Sequence, residues 1–188
     1  MDVGNFKILT RNEFQSDFQH VVVATLGPAG TSSEYVGHRI SRDVELFPTY
    51  EQAEACTHRQ DREAVLLVAN AYQYINRFYI STRTKPVAAF FCDTPSYVLA
   101  SKAVRLEDIP SRPRISSHRA PAHLLEQIFP QPQFTFVEAD STSAAARMAA
   151  ESVVDACITT KIACDREGLN TLYNSGTIPM LWTIFSRK

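Results

Sequence analysis

The chain has 188 residues, enough for one well-buried domain or two small lobes. Its 19 Lys and Arg against 20 Asp and Glu leave a net charge of −1, which gives no pull toward nucleic acid or an anionic membrane. Cys56, Cys92, Cys157 and Cys164 form no C-x-x-C pair, no apolar run reaches spanning length, and the first residues lack the pattern of a secretory signal, so reduced thiols in a cytoplasmic protein are expected.

Residues 1–19 are polar with scattered aromatics and read as a short helix or arm. Val21-Val22-Val23-Ala24 is the apolar run of a strand. TLGPAGTSSEY (25–35) follows as a tight Gly-Pro-x-Gly turn that opens a helix at Thr31, Ser32 or Ser33. The pattern then predicts a helix over 33–42, a strand over 44–47, a helix over 50–59 capped by Thr49, and an unbroken apolar strand over 64–68. This alternation predicts parallel βαβ units and an α/β fold.

Residues 69–85 break the pattern, with polar tips on Asn70, Tyr72, Tyr74, Arg77 and Tyr79. They read either as a surface helix and loop or as a substrate-facing segment beyond a strand's C-terminal end. Strands follow over 87–92 and 96–101, with Asp93-Thr94-Pro95 as a crossover between lobes. A short strand over 114–116 leads to Ser117-His118, then a helix over 121–129 and a strand over 134–138. Ser141-Thr142-Ser143 opens a helix-forming run over 144–152. A strand over 155–159, a helix over 161–167 with Gly168 as its C-cap, a loop over 170–177 and a strand over 180–185 complete the chain. The expected division is an arm at 1–19, one lobe of 20–92 and 174–188, and a second of 93–173.

The runs Thr31-Ser32-Ser33 and Ser141-Thr142-Ser143 offer the same device twice: hydroxyls and backbone N–H groups at the positive end of a helix dipole. Ordinary capping accounts for either one alone. As a pair in facing lobes, they predict a clamp for a small molecule with two acidic groups. No dinucleotide fingerprint, P-loop or nucleophile elbow is present, and His118 and His123 have no evident third partner for a metal.

TLGPAGTSSEY resembles the LGPxGTFSE motif of prephenate dehydratases. Ser117-His118 resembles their SH motif, 141–146 (STSAAA) their STAxAA motif, and 156–163 the segment that follows it. The resemblance implies two α/β lobes like a type II periplasmic binding protein, each a small mixed sheet flanked by helices. Because the chain ends soon after the last strand, no regulatory domain is expected. Two motifs depart. Ala71, Tyr72 and Gln73 are aligned with the dehydratase ENS motif, and Met180, Leu181 and Trp182 with a Thr-Arg-Phe motif whose Thr is linked to catalysis. Met and Leu cannot donate a hydrogen bond to a departing hydroxide, so loss of water is expected to be disabled. That pattern is similar to the non-aromatising prephenate decarboxylases of bacilysin-type and aeruginosin-type natural-product pathways.

The resemblance implies release of carbon dioxide from prephenate with the ring hydroxyl kept, without cofactor or metal, in a homodimer. Thr31, Ser32, Ser33, Ser117, Ser141, Thr142 and Ser143 are expected to bind substrate oxygens. Asp93 and Arg147 are further binding candidates, with Met180 and Trp182 as an apolar wall. His118 is the first candidate for the acid, followed by Tyr72 and Glu34, with Asp93 also considered. A dehydratase with an altered site and a non-catalytic anion-binding protein of the same fold are the alternatives.

Overall fold

A computed structural model describes residues 7–8, 18–129 and 133–188. They fall into two compact units, one of Met1–Pro28, Ser32–Thr94 and Pro179–Lys188, the other of Ala29–Thr31 and Pro95–Ile178.

The first unit holds a six-stranded mixed sheet. Strands β1 (Lys7–Ile8), β2 (Val22–Leu26), β3 (Val44–Phe47), β4 (Ala64–Ala69), β5 (Thr84–Phe91) and β11 (Leu181–Arg187) lie in the order β1-β5-β11-β4-β2-β3. Helices α1 (Ser32–Ile40) and α2 (Tyr50–Cys56) link the parallel strands β2, β3 and β4, and α3 (Asn76–Tyr79) precedes β5. The unbroken apolar runs have a simple cause. Val21 and Val23 of the β2 segment pack in one buried cluster with Val65, Leu67, Trp182 and Ile184. Val22 and Ala24 pack in another with Leu66, Val68, Phe78 and Phe185. A strand covered on both faces has no polar side to show.

The second unit holds β6 (Tyr97–Ser101), β7 (Arg114–Ser117), β8 (Thr135–Glu138), β9 (Ala156–Thr160) and β10 (Asn170–Gly176) in the order β10-β6-β9-β7-β8. Its helices are α4 (Leu125–Ile128), α5 (Thr142–Ala150) and α6 (Lys161–Arg166). Ala145, Ala146 and Ala149 form the buried stripe of α5, and their small side chains let it lie close on Ala100 and Cys157.

Each unit repeats one plan. Three parallel strands are arranged third-first-second (β4-β2-β3 and β9-β7-β8), and an antiparallel strand, β11 or β6, pairs with the third. In chain order β6 directly follows β5, and β11 directly follows β10. This is the predicted two-lobed, periplasmic-binding type of mixed sheet.

Three expectations are corrected. Residues 170–176 are a strand, not a loop. β10 is a polar edge strand with two register irregularities against β6, so it lacks an apolar alternation to reveal it. The helix expected over 121–129 is a short 3-10 turn, Ala122–Leu124, followed by α4 alone. The final strand starts one residue later than expected, at Leu181. Of the N-terminal arm, Lys7–Ile8 pairs in parallel with β5; most of the rest lies outside the described residues.

Candidate functional site

In open α/β sheets, ligands sit beyond the strand ends where the connections diverge. In the first unit that place is the C-terminal end of β2 and β4. The Gly27 N–H donates to the Phe47 carbonyl at 2.8 Å, which ties the start of the turn to β3. Ser33, in the first turn of α1, is buried, and its hydroxyl lies 3.0 Å from the Tyr50 hydroxyl. Tyr50 also accepts from the Ala69 N–H at 3.4 Å. Its ring thus ties the start of α1 to the end of β4. Ser32 and Glu34 are half-buried beside it.

Beyond β4, the Thr183 hydroxyl donates to Asn70 Oδ1 at 2.8 Å and lies 2.9 Å from the Tyr79 hydroxyl. Thr183 is wholly buried. Neighbouring side chains on β11 point to opposite faces, and Trp182 faces away, into the cluster built on Val23 and Leu67. Only 1% of Trp182 is exposed, and its indole N–H donates to the Cys92 carbonyl at 3.0 Å. The expected role of Trp182 as an apolar wall is therefore corrected: it is a core residue. Met180 is half-buried and packs against the same cluster.

Tyr72 donates to Glu51 Oε1 at 3.0 Å and packs on Tyr50, with ring centroids 4.8 Å apart. Burial first, and then Glu51, push its phenol up to about 12, so it holds its proton tightly. Asp93 is exposed on the connection after β5.

In the second unit, the Ser141 side chain caps α5 by accepting from the Ala144 N–H at 3.0 Å. Thr142 and Ser143 are buried, and Arg147 points to solvent. The Ser143 hydroxyl donates to the Ala29 carbonyl at 2.9 Å, and the Thr160 hydroxyl donates to the Gly30 carbonyl at 2.8 Å. Gly30 has φ +93°, and a Cβ there would stand 2.8 Å from Ser143 Oγ. Ser143 thus shapes the glycine turn, and its one proton is not available to a ligand. Thr160, which the sequence reading passed over, does the same while capping α6 through the Ala163 N–H at 3.1 Å.

Ser117 is buried and donates to the His118 carbonyl at 2.8 Å. The ring of His118 accepts from the Ala120 N–H at Nδ1, 3.3 Å away, which leaves a proton on Nε2. Burial lowers the His118 pKa below the ordinary histidine value, while Glu138 and Asp140 oppose the shift. Among the described residues, no three His, Cys, Asp or Glu side chains gather as a metal site.

The two hydroxyl runs are not topological equivalents. Ser32 and Ser33 follow β2, the first of the three parallel strands β2, β3 and β4, whereas Ser141–Ser143 follow β8, the second of β7, β8 and β9; in the first unit Thr49 stands at that second position. Thr49 caps α2 as Ser141 caps α5, accepting from the Gln52 N–H at 3.1 Å. The sequence reading also missed Thr183 as a buried donor. Thr183-Ile184-Phe185 carries a Thr-x-Phe spacing, and Asn70 directly precedes the Ala71 aligned with the ENS motif.

No protein-family model matches the chain. It is similar to the prephenate decarboxylase of Bacillus subtilis, at 30% identity over 192 residues, covering 96% of this chain and 93% of that protein. It is also similar to the prephenate decarboxylase of Planktothrix agardhii (strain NIVA-CYA 126/8), at 32% identity over 187 residues, covering 93% of this chain and 92% of that one. Among solved structures, the prephenate dehydratase of Arthrobacter aurescens superposes with a TM-score of 0.73 at 18% identity. That match covers 89% of this chain, which spans 61% of the dehydratase. The VFT2 domain of Bordetella pertussis BvgS superposes with a TM-score of 0.50 at 16% identity, covering 89% of this chain and 80% of that domain. These structural likenesses concern the fold.

Proposed function

The chain belongs to the prephenate decarboxylase family, and on that premise we propose that it releases carbon dioxide from prephenate while the ring hydroxyl stays in place. The ring C–carboxylate bond breaks, its electron pair enters the ring, one proton is taken up at a ring carbon, and dihydro-4-hydroxyphenylpyruvate forms. The observation that carries hydroxyl retention is the donation of the Thr183 hydroxyl to Asn70 at 2.8 Å. Hydroxide leaves readily only with a proton or a hydrogen bond supplied to it, and this buried donor is already committed. Met180, aligned with the dehydratase threonine, likewise has no hydrogen to offer a departing hydroxide.

In this reading the start of α1, within the first unit, offers backbone N–H groups and the dipole's positive end to substrate oxygens, and the start of α5 offers the same device within the second unit. Thr31, Ser32 and Thr142 add side-chain contacts. Ser33, Ser117, Ser141 and Ser143 act through the framework bonds described above. His118 is the proposed acid. Tyr72, with its raised pKa and its bond to Glu51, is a weaker candidate, and Glu34 stands at the start of α1. Asp93 and Arg147 are exposed and contribute charge at most. A cofactor-free reaction, a role in natural-product biosynthesis, a cytoplasmic location and a homodimer accompany this proposal.

Incubation with prephenate tests it. Carbon dioxide together with a non-aromatic keto acid is the expected result. Phenylpyruvate would replace the reading with a dehydratase, and tight binding without turnover would replace it with a binding protein of the same fold.

A further inference from the structure

A cleft of about 220 Å³ opens at one end of the second unit's sheet. It lies wholly within that unit, between residues 101–110 and residues 149–155. Asp155 directly precedes β9, and its carboxylate accepts from the N–H of Arg114, the first residue of β7. The cleft is therefore at the N-terminal end of these parallel strands. Ser117 and Ser141 stand beyond the C-terminal end, so the cleft is separate from the hydroxyl-rich helix start of this unit.

The polar groups that line the cleft fall into two sets. One is spent on the fold. The Ser101 hydroxyl donates to the Asp155 carbonyl at 2.6 Å and accepts from the Ala103 N–H at 3.1 Å. Asp108 is neutralised by the Arg105 guanidinium, which reaches Oδ1 at 3.0 Å and Oδ2 at 3.3 Å. The other set has capacity left. Lys102 Nζ donates to the Ser152 hydroxyl at 3.0 Å, and an ammonium has two more protons to give. Ser152, the acceptor in that bond, keeps its own proton. Asp155 Oδ2 accepts from the Arg114 N–H at 2.7 Å, while Oδ1 has no hydrogen-bond partner among the described residues. Lys102 and Asp155 line the same cleft, yet among the described residues no ion pair joins them.

The remaining surface is apolar. Ala149 and Val154 are buried, and Ile109 and Pro110 stand beside them. A complementary ligand carries an oxyanion for Lys102 and Ser152, a cation for Asp155 Oδ1 and a short apolar group. It is also small, because the cleft falls below the range of about 300–1,000 Å³ usual for drug-sized ligands.

We propose that this cleft is a binding site for a free α-amino acid with a small aliphatic side chain. The α-carboxylate accepts from Lys102 and Ser152, the α-ammonium donates to Asp155 Oδ1, and the side chain packs on Val154 and Ile109. The two unjoined charges of the cleft are thereby bridged by one zwitterion. No bond is made or broken, and the site does not depend on the reaction proposed above.

Calorimetric titration of the full chain with L-valine tests the site. Saturable binding of one L-valine per chain is expected, with a Kd of about 1 mM or tighter. Isovalerate lacks the ammonium and isobutylamine lacks the carboxylate, so each should bind at least about tenfold more weakly. Lys102→Met and Asp155→Asn should each weaken L-valine by at least about tenfold. Lys102 is exposed, so its replacement leaves the fold intact, and Asp155→Asn keeps an oxygen for the Arg114 N–H. Absence of saturable L-valine binding overturns the proposal. So does L-valine binding that both variants retain in full, which would place the ligand elsewhere. Isovalerate or isobutylamine that binds as tightly as L-valine would also overturn it, because one of the two charges would then go unread.

Discussion

The Ser143 hydroxyl donates to the Ala29 carbonyl at 2.9 Å, a bond between residues 114 positions apart. Ser143 thereby holds the glycine turn in shape, and the turn leaves no room at Gly30, where a Cβ would lie 2.8 Å from Ser143 Oγ and 3.3 Å from Ala163 Cβ. Gly30→Ala is expected to cost about 1–3 kcal/mol, from the positive φ and the close contact. Ser143→Ala leaves the Ala29 carbonyl without this donor and should cost about 1–3 kcal/mol. The double variant should lose less than the sum, because removing Oγ clears the nearest obstacle to the new Cβ. Urea unfolding of the four proteins checks this, and strict additivity would refute the coupling.

His118 gives a pH prediction. Burial depresses its folded pKa below the ordinary 6.5, so the fold favours the neutral ring. As pH falls past about 6.5, the unfolded chain takes up the proton first, and this share of stability declines until the folded ring is also protonated. His118→Asn should flatten that part of the pH–stability curve. If imidazolium is the acid, wild-type turnover rises as pH falls toward the depressed pKa. His118→Asn should then slow turnover by at least about tenfold and remove the slope. Turnover that keeps both its rate and its pH dependence in the variant removes His118 from the role.

Trp182 separates packing from binding. Trp182→Ala should cost about 3–5 kcal/mol by emptying a large core site. Trp182→Phe should cost less, chiefly by leaving the Cys92 carbonyl without its indole donor, about 1–3 kcal/mol. Because the side chain is buried in the core, the Tm of Trp182→Phe should fall while KM for prephenate holds. A raised KM with an unchanged Tm would return Trp182 to the substrate.

Ser152 offers a stabilising change. It ends α5 with φ 60°, and the bonds from its N–H to Ala149 and from the Val153 N–H to Met148 form a helix-closing motif that suits glycine. Its hydroxyl accepts from Lys102 only at an exposed site. Ser152→Gly is expected to gain about 1 kcal/mol by relieving the left-handed conformation. For a chain of this size that is about 2–4 °C in Tm. An unchanged or lower Tm contradicts the expectation.

The parallel strands were the most legible part of the fold. The runs of β2 and β4 are apolar because helices cover both faces of the sheet, and Gly168 adopts φ +66° after α6 as a C-cap should. The site was legible only in part. Ser141 is the helix cap its position suggested. Ser143 and Trp182 were misread because what their side chains reach is fixed by distant backbone, the Ala29 carbonyl for one and the Cys92 carbonyl for the other.

The sequence by itself determined the α/β class, the two-lobed plan, the positions of the hydroxyl-rich helix starts and the family resemblance. Each of these is written in local periodicity or in short contiguous motifs. Only the tertiary structure decided which hydroxyls have a proton to offer. Asn70, Tyr79 and Thr183 meet because β11 lies antiparallel beside β4, and Thr183 is 113 residues from Asn70 and 104 from Tyr79. No local pattern encodes that pairing. It follows from a strand at the far end of the chain completing a sheet begun near its start.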